Sequence, residues 1–438
     1  MIDISIIIPI FNTWEKIEKI ITNIIKKKNF LNIEIILIDD FSKVIPLKKI
    51  EIIKKIKNVK MFFFKKNKGP GIVRNFGLKK ASGKFIWFID SDDRPNENWA
   101  NSYEKFKKND HSVDFVTFPA EIVTSDKNKR YVRDYFRGNS NKKNSLKELL
   151  GANFDFNNFD NCVWQYWFNK NFLIRKKIFF LEGNNYEDVT FLSNVFNQTK
   201  HCLKINDICY QHIRQDSSIT SKELLLTSVV NTEFGNDILK TIFSLINLIN
   251  SSKNRYIRKF FINRMRRYTL EFASYLSIIK KNKNIFKKCE ANLKRKSLVL
   301  FKKKINIRYK NYNKIINLLL KTSVQKLIDF YYSDNNLPAE LKKRKGRFAV
   351  HCYSLFSISW VKFLVTKNPK LVCFIDTYDY GFKDPFYGKM IVSSVSKIKS
   401  SFDYIIVINR QKKTTKKIIR DYIQAGFKKS DIYEINYI

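Results

Sequence analysis

Phe85-Ile86-Trp87-Phe88-Ile89-Asp90-Ser91-Asp92-Asp93 places three carboxylates directly behind a continuous apolar run. A run that does not alternate with polar residues predicts a strand covered on both faces by helices. Runs of the same kind stand at Ile4–Ile8, Ile33–Ile38, Met61–Phe64 and Val113–Phe118. Amphipathic stretches separate them, among them Trp14–Lys27 and Ile72–Lys80. Asn12, followed by Glu15, reads as a capping pair that opens the first of these helices. Alternation of strand and helix over residues 1–120 predicts a doubly wound, mostly parallel α/β sheet. Ligands of such sheets bind in the crevice beyond the carboxyl ends of the strands. The residues that follow each strand are therefore the ones that can carry chemistry.

The rest of the chain sets the frame. At 438 residues, with 44% hydrophobic and 15% aromatic side chains, it is long enough for two or three folded domains. Six cysteines lie scattered without C-x-x-C spacing, which argues for reduced thiols over a zinc knuckle or a disulfide framework. No apolar run approaches the roughly 20 residues that span a bilayer, and Ile4 begins a strand without a leader before it. The expectation is a cytoplasmic protein. Its net charge of +43 reflects in part a sequence crowded with Lys, Ile, Asn and Phe. The basic residues are spread along the chain with no nucleic-acid-binding signature, so no nucleic-acid partner is expected. Attraction to the anionic inner face of the cytoplasmic membrane is the functional reading of the charge.

Three domains are expected: an α/β domain over 1–221, a basic, mainly helical region with a linker over 222–345, and a smaller α/β domain over 346–438. In the second, Ile257, Phe261, Met265, Tyr268, Phe272, Tyr275 and Ile279 share one helix face, flanked by arginines. That face either packs on other protein or lies on anionic lipid. Lys342-Lys343-Arg344-Lys345-Gly346-Arg347 reads as the linker, and Phe348–His351, Leu371–Ile375 and Tyr404–Ile408 read as strands of the third domain.

Four elements carry chemistry. Asp90, Asp92 and Asp93 repel one another unless a hard divalent cation neutralises them, and such a cation can bridge the phosphates of a diphosphate ligand. Asn67-Lys68-Gly69-Pro70-Gly71-Ile72-Val73-Arg74-Asn75-Phe76-Gly77 joins a strand to a helix. Its glycines let the backbone turn near a ligand, and Arg74 adds a cation for phosphate or ribose. Asp39-Asp40 ends a strand where a carboxylate can accept a hydrogen bond from a nucleobase. Glu187-Asp188 opens a helix, whose dipole keeps a general base ionised. Singly, each also reads as a turn, a cap or a solvated acid.

Together these elements resemble the family-2 glycosyltransferases of the GT-A fold, over roughly residues 1–220. The resemblance rests on Ile4-Ser-Ile-Ile-Ile-Pro9-Ile-Phe-Asn12, Ile38-Asp39-Asp40-Phe41-Ser42, Asn67–Gly77, Asp90-Ser91-Asp92-Asp93 and Glu187-Asp188. It implies a nucleotide-diphosphate sugar as donor, UDP being the commonest nucleotide. Pro9, Asn12, Asp39, Gly69, Arg74 and Asp90 would line the donor site, with Arg214 gripping the diphosphate. Asp92 and Asp93 would hold Mn²⁺ or Mg²⁺, with His212 as a further candidate ligand or a structural histidine. Asp188 would be the base of an inverting displacement, and Glu187 would help to hold the acceptor. The acceptor implied is a glycan or lipid-linked hydroxyl of a surface polymer such as capsule or lipooligosaccharide. Phe41 departs from the family, which often has glycine there. Trp164, Tyr166 and Trp167 are either faces for a sugar or core. Residues 346–438 are similar to small Rossmann-like domains of polysaccharide enzymes, but His351-Cys352-Tyr353-Ser354 lacks the glycine-rich turn, so a scaffolding role without cofactor is expected there. The alternatives are transfer of another phosphate-activated group on this fold, or a non-catalytic scaffold derived from it.

Overall fold

The computed structural model describes residues 1–28, 31–108, 112–123, 130–136, 138–151, 154, 159, 161–213, 232–279, 283–301, 315, 319, 324–332, 336–352, 354–365, 370–376, 389–392, 402–408 and 412–435. The chain divides into two compact units, Met1–Asp216 with Ser251–Phe261, and Ser217–Asn250 with Ile262–Ile438.

The first unit is built on strands β1 (Ile4–Ile10), β2 (Ile33–Asp39), β3 (Val59–Phe63), β4 (Phe85–Phe88), β5 (Arg94–Pro95) and β6 (Phe115–Thr117). It continues with β7 (Ala120–Val123), β8 (Arg130–Arg133), β9 (Lys143–Asn144), β10 (Tyr166–Asn169), β11 (Cys202–Lys204) and β12 (Tyr210–Ile213). Its helices are α1 (Trp14–Lys27), α2 (Leu47–Lys54), α3 (Pro70–Lys80), α4 (Trp99–Lys108), α5 (Leu146–Leu150), α6 (Lys170–Arg175) and α7 (Glu187–Gln198). Eight strands form one sheet in the order β3-β2-β1-β4-β10-β6-β11-β9. The first four of these run parallel, and β10 is antiparallel to both its neighbours. Four of the five apolar runs read from the sequence are thus the parallel half of a doubly wound α/β sheet, and the fifth, Val113–Phe118, holds β6 on the far side of the antiparallel β10. The strand order turns around β1, with β2 on one side and β4 on the other, and that is where such sheets open a ligand crevice.

A second sheet, β5-β12-β7-β8, begins immediately behind the carboxylate cluster. Its β5–β12 pairing sets Tyr210 opposite Pro95 and Gln211 opposite Arg94, which carries the end of β12 to the carboxylates. Helix α1 buries Trp14, Ile17, Ile20, Ile21 and Ile24, one stripe at helical spacing, against this core. The capping pair read at Asn12 and Glu15 does not form. Helix α1 starts at Trp14 with Thr13 at its cap and no side-chain cap bond. Asn12 sits in the left-handed region at φ 56° and turns its amide oxygen to the Lys43 N–H at 2.8 Å. A bond that stitches two loops has displaced the local cap.

Helix α8 (Thr232–Ser251) follows, and then α9 (Arg255–Ile279), whose residues from Ile262 onward belong to the second unit. All seven residues of the face read from the sequence are buried, and no residue from Phe260 to Ile279 is exposed. Arg264 itself is fully buried. A helix covered on all sides is a core helix, so the lipid-lying reading does not apply to this face.

The second unit also holds α10 (Lys283–Phe301), α11 (Val324–Tyr331), α12 (Ala339–Lys342), α13 (Leu355–Val365) and α14 (Lys412–Gln424). Its strands β13 (Arg347–His351), β14 (Lys370–Ile375), β15 (Ile391–Val392), β16 (Tyr404–Ile408) and β17 (Ile432–Ile435) form an all-parallel sheet ordered β15-β14-β13-β16-β17. The basic run read as a linker is partly folded in. Arg344 pairs with Asp431 at 2.9 Å and lies over the Tyr404 ring at 5.5 Å. Among the described residues, no helix is long and apolar enough to cross a membrane.

Candidate active site

The crevice at the carboxyl ends of β1, β2 and β4 gathers most of the residues singled out in the sequence. Asp40 is buried behind β2 and accepts hydrogen bonds from the Lys68 and Gly69 N–H groups, each at 2.8 Å. Those bonds fold the loop that starts α3. Gly69 takes φ 83°, a conformation open to glycine, and Pro70 then enters the helix at a position where its missing N–H costs nothing. At Gly71, a Cβ would stand 3.0 Å from the Leu181 carbonyl oxygen and 3.2 Å from the Glu187 Cβ. Glycine here is what lets α3 approach the start of α7.

That approach brings Arg74 to Glu187. The Arg74 Nη1 donates to Glu187 Oε1 at 2.6 Å, and its Nη2 donates to Asp90 Oδ1 at 2.8 Å. Burial works against the guanidinium charge, but Asp90 and Glu187 hold it well above its ordinary value. For Glu187 burial pushes the carboxyl up, with Arg74 opposing. Arg74 is 7% exposed and is therefore the tie between the end of β4 and the start of α7 rather than an open cation facing a ligand. Asn75 reinforces the tie: its amide pairs with the backbone of Phe180, accepting at 2.8 Å and donating at 3.0 Å.

Asp188, beside Glu187 in the first turn of α7, is half-buried and accepts from the Val189 N–H at 2.7 Å. The helix N-terminus favours its ionised form.

The three carboxylates behind β4 have distinct surroundings. Asp90 is partly exposed and bound to Arg74. Asp93 is buried, and three groups of β12 converge on it: the Tyr210 hydroxyl at 2.8 Å, His212 Nδ1 at 2.9 Å and the Ile213 N–H at 2.7 Å. Burial raises the Asp93 carboxyl, while His212 opposes the rise. His212 in turn is lowered by burial but held above its ordinary value by Asp93. Asp92 is pushed up to about 6 by burial and by the charges of Asp93 and Asp90. At Asp92 burial and the neighbouring negative charges act together to favour the neutral carboxyl.

Asp39 is buried, with Oδ1 accepting from Trp14 Nε1 at 2.7 Å and Oδ2 from the Ser42 N–H at 3.0 Å. Each oxygen retains a second lone pair. Asn12 is exposed in the neighbouring loop, and its N–H donates to Ser42 Oγ at 2.8 Å. Thr13 Oγ1 donates to Ser91 Oγ at 2.7 Å, joining the loop behind β1 to the carboxylate segment.

Residues 5–179 match the family model described as Glycosyl transferase family 2. Over these residues the chain is similar to the family 2 glycosyltransferases. The chain is 46% identical over 94 residues to an uncharacterized glycosyltransferase of Haemophilus influenzae, a match covering 20% of this chain and 36% of that protein. It is 32% identical over 115 residues to the poly(ribitol-phosphate) β-N-acetylglucosaminyltransferase TarS of Staphylococcus aureus, covering 26% of this chain and 20% of that one. The chain thus matches only about a third or less of the length of these relatives. A crystal structure of S. aureus TarS aligns with 19% identity and a TM-score of 0.43, covering 74% of this chain and 92% of that one.

Within the first unit, Pro9 ends up inside β1, paired with Ile38, and Asp39, Asp90, Asp92, Asp93, Glu187, Gly69 and Arg74 occur at the crevice or in the elements that shape it. Arg214 lies outside the described residues. Trp164, Tyr166 and Trp167 are all buried, and Trp164 stacks on Tyr210 at 4.5 Å and on His212 at 5.3 Å. They are core residues, not open faces for a sugar. Sequence reasoning missed the roles of Tyr210 and Asn75. Asn75 stood inside a quoted motif, and the hydrogen bonds of both run to segments over a hundred residues away.

Proposed function

We propose that this protein is a metal-dependent, inverting glycosyltransferase that moves a sugar from a nucleotide-diphosphate donor, UDP-linked by family habit, to a hydroxyl of a cell-surface glycan. The observation that carries the reading is the Asp90–Arg74–Glu187 bridge, which holds a charge-deficient carboxylate cluster next to the helix start that bears Asp188.

The donor set suits a hard divalent cation in charge, because Asp92 is held up by its crowded neighbours. Among the described residues, no three His, Cys, Asp or Glu side chains are already gathered as ligands. Asp92 is the side chain we assign to Mn²⁺ or Mg²⁺, with His212 as candidate second. Asp93, occupied by β12, positions the segment. When bound there, the cation takes up charge on the diphosphate. Asp188 removes the proton of the acceptor hydroxyl as its oxygen attacks the anomeric carbon. The bond from that carbon to the diphosphate oxygen breaks, the electron pair leaves with the diphosphate, and the configuration inverts. Glu187, fixed by Arg74, keeps the start of α7 in place beside Asp188.

The name of the S. aureus relative, a poly(ribitol-phosphate) β-N-acetylglucosaminyltransferase, favours a polymer as acceptor. Capsule or lipooligosaccharide belong to the same class. The net charge of +43 supports work at an anionic membrane face. A thermal-shift screen against UDP-, GDP-, CMP- and dTDP-sugars, with and without Mn²⁺, tests the donor site without a known acceptor. The expected result is a metal-dependent shift with one nucleotide family, retained in Asp188→Ala while sugar transfer is lost. No shift with any of them would sink the donor reading, and normal turnover of Asp188→Ala would remove the base.

A further inference from the structure

Among the described residues, no other stretch exposes large apolar side chains as densely as residues 41–52. Val44 is 76% exposed, Leu47 72% and Ile52 53%, and Phe41 and Ile45 are exposed beside them. Helix α2 buries Ile50 and Ile53 and turns Leu47 and Ile52 outward, next to the exposed Lys48 and Lys54. A surface helix ordinarily keeps its outer face polar. The loop ahead of it is held at both ends. At its start the Ser42 N–H donates to Asp39 Oδ2 and the Lys43 N–H to Asn12 Oδ1. At its end the Ile50 N–H donates to the Pro46 carbonyl at 3.1 Å. A fixed backbone thus displays Val44 and Ile45 to solvent.

The surroundings are basic beyond the habit of the chain. Residues 41–68 contain ten lysines and a single acid, Glu51, whereas the whole chain has 83 basic residues to 40 acidic. Lys49 and Lys60 have acidic partners, Glu18 and Glu34, while Lys48, Lys54 and Lys55 lie exposed around the apolar side chains. Such a rim repels a second copy of a chain that carries +43 and attracts an anionic surface. Apolar side chains set among lysines match the layers of an anionic bilayer, with phosphates at the level of the ammonium groups and acyl chains below. We propose that residues 41–54 dock the protein on an anionic bilayer surface, with Val44, Leu47 and Ile52 entering the interface and Lys48 and Lys54 at the lipid phosphates. The segment leaves β2 directly behind Asp39 and Asp40, so docking there sets the ligand crevice next to the membrane. The inference rests on the membrane-face reading given above and names its surface.

Flotation of the full chain with vesicles of phosphatidylcholine alone, or mixed with phosphatidylglycerol, tests it. The wild type should float with the mixed vesicles only. Val44→Ser with Leu47→Ser should weaken partitioning about tenfold, and so should Lys48→Glu with Lys54→Glu. All four side chains are exposed, so both variants should keep the wild-type melting temperature. Lys105→Glu with Lys108→Glu on α4, an equal change of charge, should alter partitioning less than about twofold. Equal loss in the α4 variant, or no loss in any variant, overturns the docking surface and leaves the membrane-face reading to charge spread over the chain. Loss in the Lys48 and Lys54 variant with none in the serine variant also overturns it, because adsorption is then electrostatic alone. A wild type that floats with neither vesicle sinks the membrane-face reading, and the docking surface falls with it. A dimer in sedimentation velocity that the serine variant abolishes assigns the patch to a second copy instead.

Discussion

The two units each contain a parallel sheet that turns around a central strand, β3-β2-β1-β4 in the first and β15-β14-β13-β16 in the second. Each places a non-glycine residue in the left-handed region behind that strand, Asn12 at φ 56° and Cys352 at φ 77°. The chemistry at the two edges differs. Behind β1, β2 and β4 stand Asp39, Asp40, Asp90, Asp92 and Asp93, crowded enough that Asp92 is pushed up to about 6. Behind β13 and β14 stand His351, which bonds through Nδ1 to the Tyr422 hydroxyl, Cys352, whose N–H donates to the Ile375 carbonyl at 2.9 Å, and the buried Asp376. Topology sets where a ligand can bind, and the residues behind the strands decide which chemistry is available there. Electrostatic cost is concentrated at the first edge, where the carboxylates crowd one another.

The hardest test of that contrast is to remove its central cation. Arg74→Ala leaves Glu187 buried without its partner, and should cost about 3–5 kcal/mol in denaturant unfolding of the first unit. A loss no larger than that of a surface lysine would mean that the first edge is not organised by this bridge.

A smaller effect, with a defined pH window, is expected at Asp92 in the metal-free protein. In the unfolded chain this carboxyl loses its proton near its ordinary value, about 4. In the fold it keeps the proton up to about 6. Raising the pH between those values therefore favours the unfolded chain, and the penalty stays constant above the window. Asp92→Asn should match the wild type in stability below the window and exceed it above, as read by melting temperature against pH. Equal stability of the two at all pH values would remove the crowding argument and weaken the case for a cation there.

The smallest effect sharpens the other side of the comparison. Cys352→Gly should stabilise the second unit by about 1 kcal/mol, because glycine takes the left-handed conformation without penalty. The nucleotide-sugar shift should be unaltered. A changed shift would mean that the second edge takes part in donor binding.

Much of the first unit was legible locally. The continuous apolar runs predicted β1, β2 and β4 nearly to the residue, because the period of an element is a property of neighbouring positions. The residues from Ile257 to Ile279 were read as one helix face, and all seven are buried, yet the choice between protein and lipid as their cover was not in the pattern. The cap at Asn12 was misread for a related reason: the Lys43 N–H, from the loop after the next strand, takes the same side-chain oxygen.

By itself, the sequence determined the strand–helix alternation, the position of the carboxylates behind β4 and the resemblance of the first domain to the family 2 glycosyltransferases, since all three rest on residue types in short motifs. Only the tertiary structure decided which of those groups are committed and which are open. Arg74 is spent on Glu187, 113 positions away, and Asp93 on His212 and Ile213, 119 and 120 positions away. Ion pairs at such separations depend on how closely a helix can approach its neighbour, here on the missing Cβ of Gly71 and the pairing of β5 with β12. Those distances exist only once the chain has packed.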